Sequence, residues 1–380
     1  MGRRWIFFFL FNVLYWAAES CIVPYLGPYY ESRNLGGVQI GLLGGAMAVA
    51  TIISSFVLNF LADSSGRPKL VLLCCSAGLI GMAALIRVSG IFSAIFVSAF
   101  FFYFLKAPLA SISDKLILDS IHKTPELYSW FRLGGSLGYA IGSLAIGMII
   151  AWHGILAVFP VFMAVMLICL TTILPMPIVT RKEGACQRPK QHDYVAVLRH
   201  KRFPFIYGTL ALWGLAEAAL SFYTLHLQKQ GFDSRRIGLL LSITMFGEVV
   251  GFLLTVKLLK KKVPEKTIIL SFICQLIRSS SLALMFPFPI LILCQFIGGF
   301  SLPMIWASTT YLAHEAFPVR MGNVAQGFKV IAYYGLAQLI GAPFCGVLYQ
   351  YISSSSVFWM VTSVCIFYIT GYGLSQAFRR

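Results

Sequence analysis

The chain has 380 residues, 58% hydrophobic and only 11% charged, with a mean hydropathy of +0.81. A soluble domain carries about 25% charged residues, so there is too little polar side chain here to cover a water-facing surface, and the sequence reads as an integral membrane protein. The net charge of +17 would suit a nucleic-acid partner, but the placement of the basic residues gives a different reason for it.

A membrane-spanning helix needs about 20 mostly apolar residues. Twelve segments meet that requirement in chain order: 5–30, 37–62, 69–88, 91–113, 128–150, 154–175, 203–229, 236–258, 265–286, 288–312, 322–348 and 356–377. The opening MGRRWIFFFLFNVLYWAAES imitates a secretory leader. Its apolar run is interrupted by Asn12 and Glu19 and continues past Pro24 to about Tyr30, so it is expected to be the first membrane helix. Most breaks are short and carry turn or charge signals, such as DSSGRPK at 63–69 and PFP at 287–289. The long break, 176–202, holds seven Lys or Arg. The expected organisation is an N-terminal six-helix bundle (1–175), a linker (176–202) and a second six-helix bundle (203–380).

With the N-terminus inside, the segments on the inner side hold 21 Lys or Arg, and the outer loops hold five: Arg33, Arg87, Lys229, Arg235 and Arg236. This is a strong positive-inside pattern. It accounts for the net charge through the inner leaflet, with no nucleic acid required. The expectation is a multi-pass protein of the cell membrane (the inner membrane in a bacterium) with both termini cytoplasmic. The nine cysteines show no metal or redox spacing and read as small buried hydrophobes. No cofactor or metal is implied.

The two halves resemble each other. IGLL recurs at 40–43 and 237–240, Phe131-Arg132 as Phe328-Lys329, and Trp16 as Trp213, all offset by 197 residues; Glu19 meets Glu217 at 198. Four coincidences near one offset suggest a parallel duplication.

The stretch Asn59-Phe-Leu-Ala-Asp63-Ser-Ser-Gly66-Arg67-Pro-Lys69 resembles the loop signature between helices 2 and 3 of the major facilitator superfamily, with Asn59 in place of the first glycine. Gly66 suits a tight turn, and Asp63 with Arg67 would form a cytoplasmic gate motif. Pro108 to Asp114, then Tyr128-Ser-Trp-Phe-Arg132-Leu-Gly-Gly-Ser-Leu-Gly-Tyr139, are similar to helices 4 and 5 of transporters of the lactose permease-like, nucleoside symporter-like and phenylpropionate permease-like branch. Gly247-Glu248, Arg278-Ser-Ser-Ser and Phe328-Lys329 also look like the permease. The resemblance implies an all-α fold of two pseudo-symmetric six-helix bundles and transport by alternating access. One departure is plain: where the permease carries a His and a proton-binding Glu on helix 10, this chain has Gly298 and Ser301.

Eight ionisable residues fall within membrane segments: Glu19, Lys106, Asp114, Arg132, Glu217, Glu248, Arg278 and Lys329. Such residues face a bundle interior or a wet cavity and pair with one another. The repeat pairs Glu19 with Arg132 and Glu217 with Lys329, with Asp114 as an alternative partner for Arg132, and Glu248 for Arg278. Lys106 has a second option, reaching toward the cytoplasmic surface. A carboxylate in a low-dielectric cavity can take up and release a proton reversibly, which makes Glu19, Glu217 and Glu248 proton-carrier candidates. Trp16, Tyr25, Tyr103, Trp213, Tyr223, Trp306, Tyr333 and Tyr334 are candidates to shape the solute site.

Small residues recur every four positions at Gly37, Gly41, Gly45; Gly134, Gly138, Gly142; Gly247, Gly251; and Ala337, Gly341. Such stripes let helices approach closely. In the resembled fold these helices meet between the bundles, so a sliding contact is expected there.

The leading function is proton-coupled symport of a small organic solute of the sugar, nucleoside or aromatic acid class, by a monomer. The alternative is proton-driven efflux of amphipathic or toxic compounds. No metalloprotease HExxH, phosphate-cradling glycine loop or hydrolytic triad is present, so an enzyme is not expected.

Overall fold

The structure, a computed structural model, describes residues 6–120, 128–176, 191–318 and 321–377. Among the described residues it is all-α, with no strand. Every expected span is helical: α1 Ile6–Ser32, α2 Gly37–Ser64, α3 Pro68–Val88, α4 Phe92–Ser120, α5 Tyr128–His153 and α6 Ile155–Ile173 in the first half. The second half has α7 Phe203–Lys229, α8 Ser234–Lys260, α9 Pro264–Ala283, α10 Phe288–Ala316, α11 Val324–Tyr351 and α12 Ser354–Ala377. Eleven contain a stretch long and apolar enough to cross a membrane. The exception, α9, has the length but carries Glu265, Lys266, Gln275, Arg278 and a serine run. Most of the expected linker lies outside the described residues; within it, Gln191–Leu198 is a short helix.

The duplication is written in the backbone as well as in the residues. α1 tightens to a 3-10 turn at Val23–Tyr25 and resumes as α-helix at Leu26; α7 does the same at Ala218–Phe222 and resumes at Tyr223, 197 residues on. Pro24 explains the first break, since it has no N–H to give. The second half breaks at the same place without a proline. The helix ends also correspond. Asn34 and Gly231, again offset by 197, both take a left-handed conformation (φ 61 and 81) to turn the chain. Gly66 (φ 61) and Lys262 (φ 54) turn it after α2 and α8, two residues before Pro68 and Pro264, which open α3 and α9.

Two compact units divide the chain: Met1–Glu183 with Gly231–Ser242, and Gly184–Gln230 with Ile243–Arg380. In the first, α1 lies along α5. The glycine stripe of α5 faces α1: a Cβ on Gly134 would strike the Phe9 ring at 2.7 Å, one on Gly138 would strike the Val13 backbone, and one on Gly142 would come 2.7 Å from the Ala17 carbonyl oxygen. The opening residues of α8 lie on the other side of α5, where Ser242 donates to the Ala140 carbonyl at 2.5 Å. In the second unit α7 lies along α11, with Gly214 against the Tyr333 carbonyl and Gly341 against Ala218. Gly247 and Gly251 of α8 meet Phe296 and Phe300 of α10.

The expectation of a sliding contact between bundles is therefore corrected for the α5, α8 and α11 stripes. Each is used for close packing inside its own unit. A helix has several faces, and four-residue spacing does not say which neighbour a face meets.

Candidate functional site

The ions of the membrane segments fall into four clusters, two in each unit. In the first unit Lys106 Nζ lies 2.7 Å from Glu19 Oε1. The pair borders a small pocket, with room for about one water, lined by Tyr15, Ile22, Val23, Leu79, Phe102 and Phe162. Lys106 also sits 5.1 Å from the Tyr103 ring centroid. The Tyr30 and Tyr103 hydroxyls are buried with no hydrogen-bond partner among the described residues, and a buried unsatisfied hydroxyl calls for a water or solute partner. Tyr25 is fully buried, the last residue of the Val23–Tyr25 break.

The second cluster holds Arg132, 3.8 Å from Asp114 Oδ2 and 5.9 Å from the Trp16 ring centroid. The expected Glu19–Arg132 pair does not form. α1 and α5 run in the same direction, with Phe8 against Phe131 (6.3 Å) and Ala17 against Gly142. Glu19 is thus level with residues about ten places beyond Arg132, or about 15 Å along the axis at the helical rise. Each ion takes the partner at its own level: Lys106 for Glu19, Asp114 for Arg132. The option of Lys106 reaching for the surface is likewise overturned by its short contact with Glu19.

In the second unit Glu217 is buried within electrostatic reach of Arg278. Arg278 donates from Nε to Gln295 Oε1 at 3.1 Å and lies 5.5 Å from the Tyr223 ring. Its contacts are these, not the Glu248 carboxylate expected from sequence. Arg278, Gln275 and Ser279 line a pocket of similar size with Ala216, Ala219, Leu220 and Phe358. Glu248 is half-buried, its backbone beside Gly299 of α10.

Lys329 forms the fourth cluster. It is fully buried. Its ammonium donates to Thr310 Oγ1 and to the Trp306 carbonyl (3.2 Å), and lies 4.3 Å from the Trp306 ring centroid. The expected Glu217–Lys329 pair fails for the same reason as its counterpart. On parallel α7 and α11, Phe203 and Tyr207 meet Phe328 while Gly214 meets Tyr333, which puts Lys329 well short of the Glu217 level. A π-helical turn follows at Ile331–Leu336 and carries Tyr333 and Tyr334. Tyr333 makes edge contacts with Trp306 (5.6 Å) and Tyr334 (4.5 Å).

The remaining candidates divide. Trp213 is fully buried against Phe272 (5.4 Å), where Trp16 in the first half meets a cation, and its Nε1 has no hydrogen-bond partner among the described residues. Gly66 supplies the left-handed turn expected of it, and Arg67 is exposed. The Asp63 side chain lies outside the described residues. Asn59, the departure from the loop signature, accepts from Ser111 at 2.8 Å and so ties α2 to α4. Lys69 donates to the Leu174 and Met176 carbonyls, a cation at the C-terminal end of α6 where the helix dipole favours it. Sequence reasoning missed Gln295, Thr310 and Tyr30. Gln295 was discoverable as a lone amide in an apolar run, and Thr310 as the near-equivalent of Asp114.

Twelve helices in two repeats, eleven of them apolar enough to span a membrane, with ion clusters inside each repeat, describe a membrane transporter and not an enzyme. The comparisons agree. The family model described as the MFS_1 like family matches residues 5–360. The chain is 24% identical to the probable 3-phenylpropionic acid transporter of Escherichia coli K12, covering 96% of both chains. It is 22% identical to the maltose permease of Geobacillus stearothermophilus, over 94% of this chain and 89% of that one. Two crystal structures of the nucleoside transporter NupG, one of them a point mutant, share the fold at 15% identity. Their TM-scores are 0.84 and 0.88, and each covers at least 97% of this chain. The chain belongs to the MFS_1 like family, within the major facilitator transporters; it is a multi-pass secondary transporter of small solutes.

Proposed function

We propose that the protein couples the movement of a small organic solute to protons, by symport and alternating access, as a monomer in the cell membrane with cytoplasmic termini and a bundle–linker–bundle organisation (1–175, 176–202, 203–380). The relatives are named for an aromatic acid and a sugar, and the fold neighbour for nucleosides, so the solute class is drawn from those three. The observation that carries the reading is the Glu19–Lys106 contact at 2.7 Å beside a pocket.

An ion pair in an apolar setting is a poor device for stability, because desolvation offsets its Coulomb gain. It is a good device for linkage. Protonation of Glu19 releases Lys106, whose ammonium then needs another partner; a solute oxygen in the pocket supplies one. Proton and solute then raise each other's affinity by the same factor, as reciprocity requires.

The test is uptake by proteoliposomes under an imposed inward proton gradient, with labelled 3-phenylpropanoate, maltose and uridine offered in turn. Accumulation of one of them, abolished by a protonophore and lost in the neutral double variant Glu19→Gln/Lys106→Met, is the expected result. Uptake indifferent to the gradient overturns the coupling. Gradient-driven extrusion favours the alternative, efflux of amphipathic compounds.

A further inference from the structure

The two cations that the duplication makes equivalent, Arg132 and Lys329, are offset by 197 residues but wired differently. Arg132 faces a carboxylate on the fourth helix of its half, Asp114. On the fourth helix of the second half, α10, the residues at offsets of 196 and 197 from Asp114 are Thr310 and Tyr311. Thr310 is the residue that Lys329 finds there. Its hydroxyl in turn donates to the Trp306 carbonyl at 2.7 Å, and that carbonyl also accepts from Lys329. Among the described residues no Asp or Glu oxygen lies within 4 Å of the Lys329 ammonium. A buried cation thus rests on a hydroxyl, a carbonyl and an indole face, all neutral. Burial of an uncompensated ammonium is costly, and a cation–π contact returns only part of that cost.

From this we infer that the Lys329–Thr310–Trp306 cluster is a subsite for the carboxylate of an aromatic acid, with the ammonium as its counter-ion and Trp306, Tyr333 and Tyr334 as the wall for its ring. The carboxylate takes the place that Asp114 fills in the first half. Thr310, Trp306 and Tyr334 are each half-buried, so the cluster is not sealed on every side. A phosphate is a worse fit. It carries nearly two charges, and its usual partners are an arginine fork or a row of backbone N–H groups, whereas this cluster offers one ammonium. The π-turn adds one residue to the helical turn directly after Lys329, and such turns gather at working sites. Here it carries Tyr333, which makes edge contacts with both Trp306 and Tyr334.

The inference deepens the transport reading by naming the solute class, and binding tests it apart from transport. The purified full chain is titrated with benzoate and 3-phenylpropanoate and with their uncharged amides, following tryptophan fluorescence and thermal unfolding. Wild type is expected to bind at least one acid tenfold or more tighter than its amide. Lys329→Met is expected to bind acid and amide alike, Lys329→Arg to keep part of the preference, and Trp306→Phe to lose most of the fluorescence change. A wild type that binds neither acid, or binds acid and amide equally, overturns the subsite, and that result stands even if Lys329→Met does not fold. A folded Lys329→Met that keeps the acid preference overturns it equally. Proton-driven uptake of maltose or uridine with no acid preference would leave the transport reading intact and remove only this subsite.

Discussion

The two halves place a pocket at the same point and furnish it differently. Ile22 and Val23 beside the first pocket correspond, 197 residues on, to Ala219 and Leu220 beside the second. Both pockets lie at the 3-10 break of the half's first helix, flanked by its third and sixth helices. In the first, the acid is closed on a lysine from the fourth helix. In the second, the cation comes from the third helix and is held by a glutamine, with the acid at longer range. Duplication has kept the backbone device and replaced the charges. Backbone geometry here is set by helix packing through glycines, which tolerates no added Cβ; the ions need only a partner at the right level, and several helices can provide one.

The largest test of that difference is the same substitution in each half. Glu19→Gln strands Lys106 and should cost about 3–5 kcal/mol, the penalty for an orphaned buried charge. Glu217→Gln removes a buried carboxylate that has no cationic nitrogen within 4 Å among the described residues, and leaves Arg278 its Gln295 bond; it should cost clearly less than Glu19→Gln. Thermal unfolding of the purified variants reads both. Equal losses would mean that the halves are wired alike.

The packing that the halves share is tested next. Gly138→Val drives a branched side chain into the Val13 backbone of α1. Overpacking at a helix crossing costs about 1–3 kcal/mol or more, and here the obstacle is main chain, which cannot move aside. Gly208→Ala is the control, because a Cβ there meets nothing within 4 Å. It should stabilise α7 by roughly 0.5–1 kcal/mol through helix propensity. A Gly138→Val protein that unfolds with wild type would remove α1–α5 packing as the reason for the stripe.

These results bear on what could be read from sequence. The spans, the turns and the duplication were legible, because each depends on residues close in the chain: an apolar run, a glycine or asparagine before the next run, a repeated pair. The ion partners were not. A shift of one residue turns a side chain by about 100° around its helix, so Glu217, at 198 rather than 197 from Glu19, need not face what its counterpart faces. Whether Arg132 meets Glu19 depended on where α1 lies against α5, and nothing local to either helix records that Phe8 sits opposite Phe131.

A third pair of equivalent positions closes each half at the far end of its first helix. The Tyr29 hydroxyl donates to the Ile86 carbonyl at 2.8 Å, capping α3, and its ring meets Phe159 of α6 at 4.7 Å. His226, at offset 197, pairs through Nε2 with the Leu282 carbonyl at the end of α9 (3.0 Å) and through Nδ1 with Ser354 Oγ (3.0 Å). Its ring meets Phe358 of α12 at 4.7 Å. Phe at either position keeps the ring contact and removes the polar one. The Tyr29 hydroxyl also reaches the Arg87 carbonyl and accepts from Arg33 Nε, both at 3.2 Å, but both arginines are exposed and water can replace those bonds; Tyr29→Phe should therefore cost about 1 kcal/mol, and His226→Phe about 2, because it leaves two buried groups unsatisfied. His226→Phe costing no more than Tyr29→Phe would show that the histidine is a spacer and not a staple.

The smallest effect concerns the turns after α1 and α7. Asn34 and Gly231 both sit at positive φ, where an L side chain other than Asn or Asp costs about 1–2 kcal/mol. Asn is the mildest non-glycine occupant, so Asn34→Gly relieves little strain and adds disorder to the unfolded chain; the two effects oppose, and the net change should stay within about 0.5 kcal/mol. Gly231→Ala has no such offset and should destabilise by about 1 kcal/mol or more. The ratio matters more than either value. If both substitutions are silent, the turns are not pinned by the helices around them, and their agreement at one offset owes nothing to a common backbone demand. If Gly231→Ala alone is costly, the demand is common, and Asn34 is the residue by which the first half meets it without glycine.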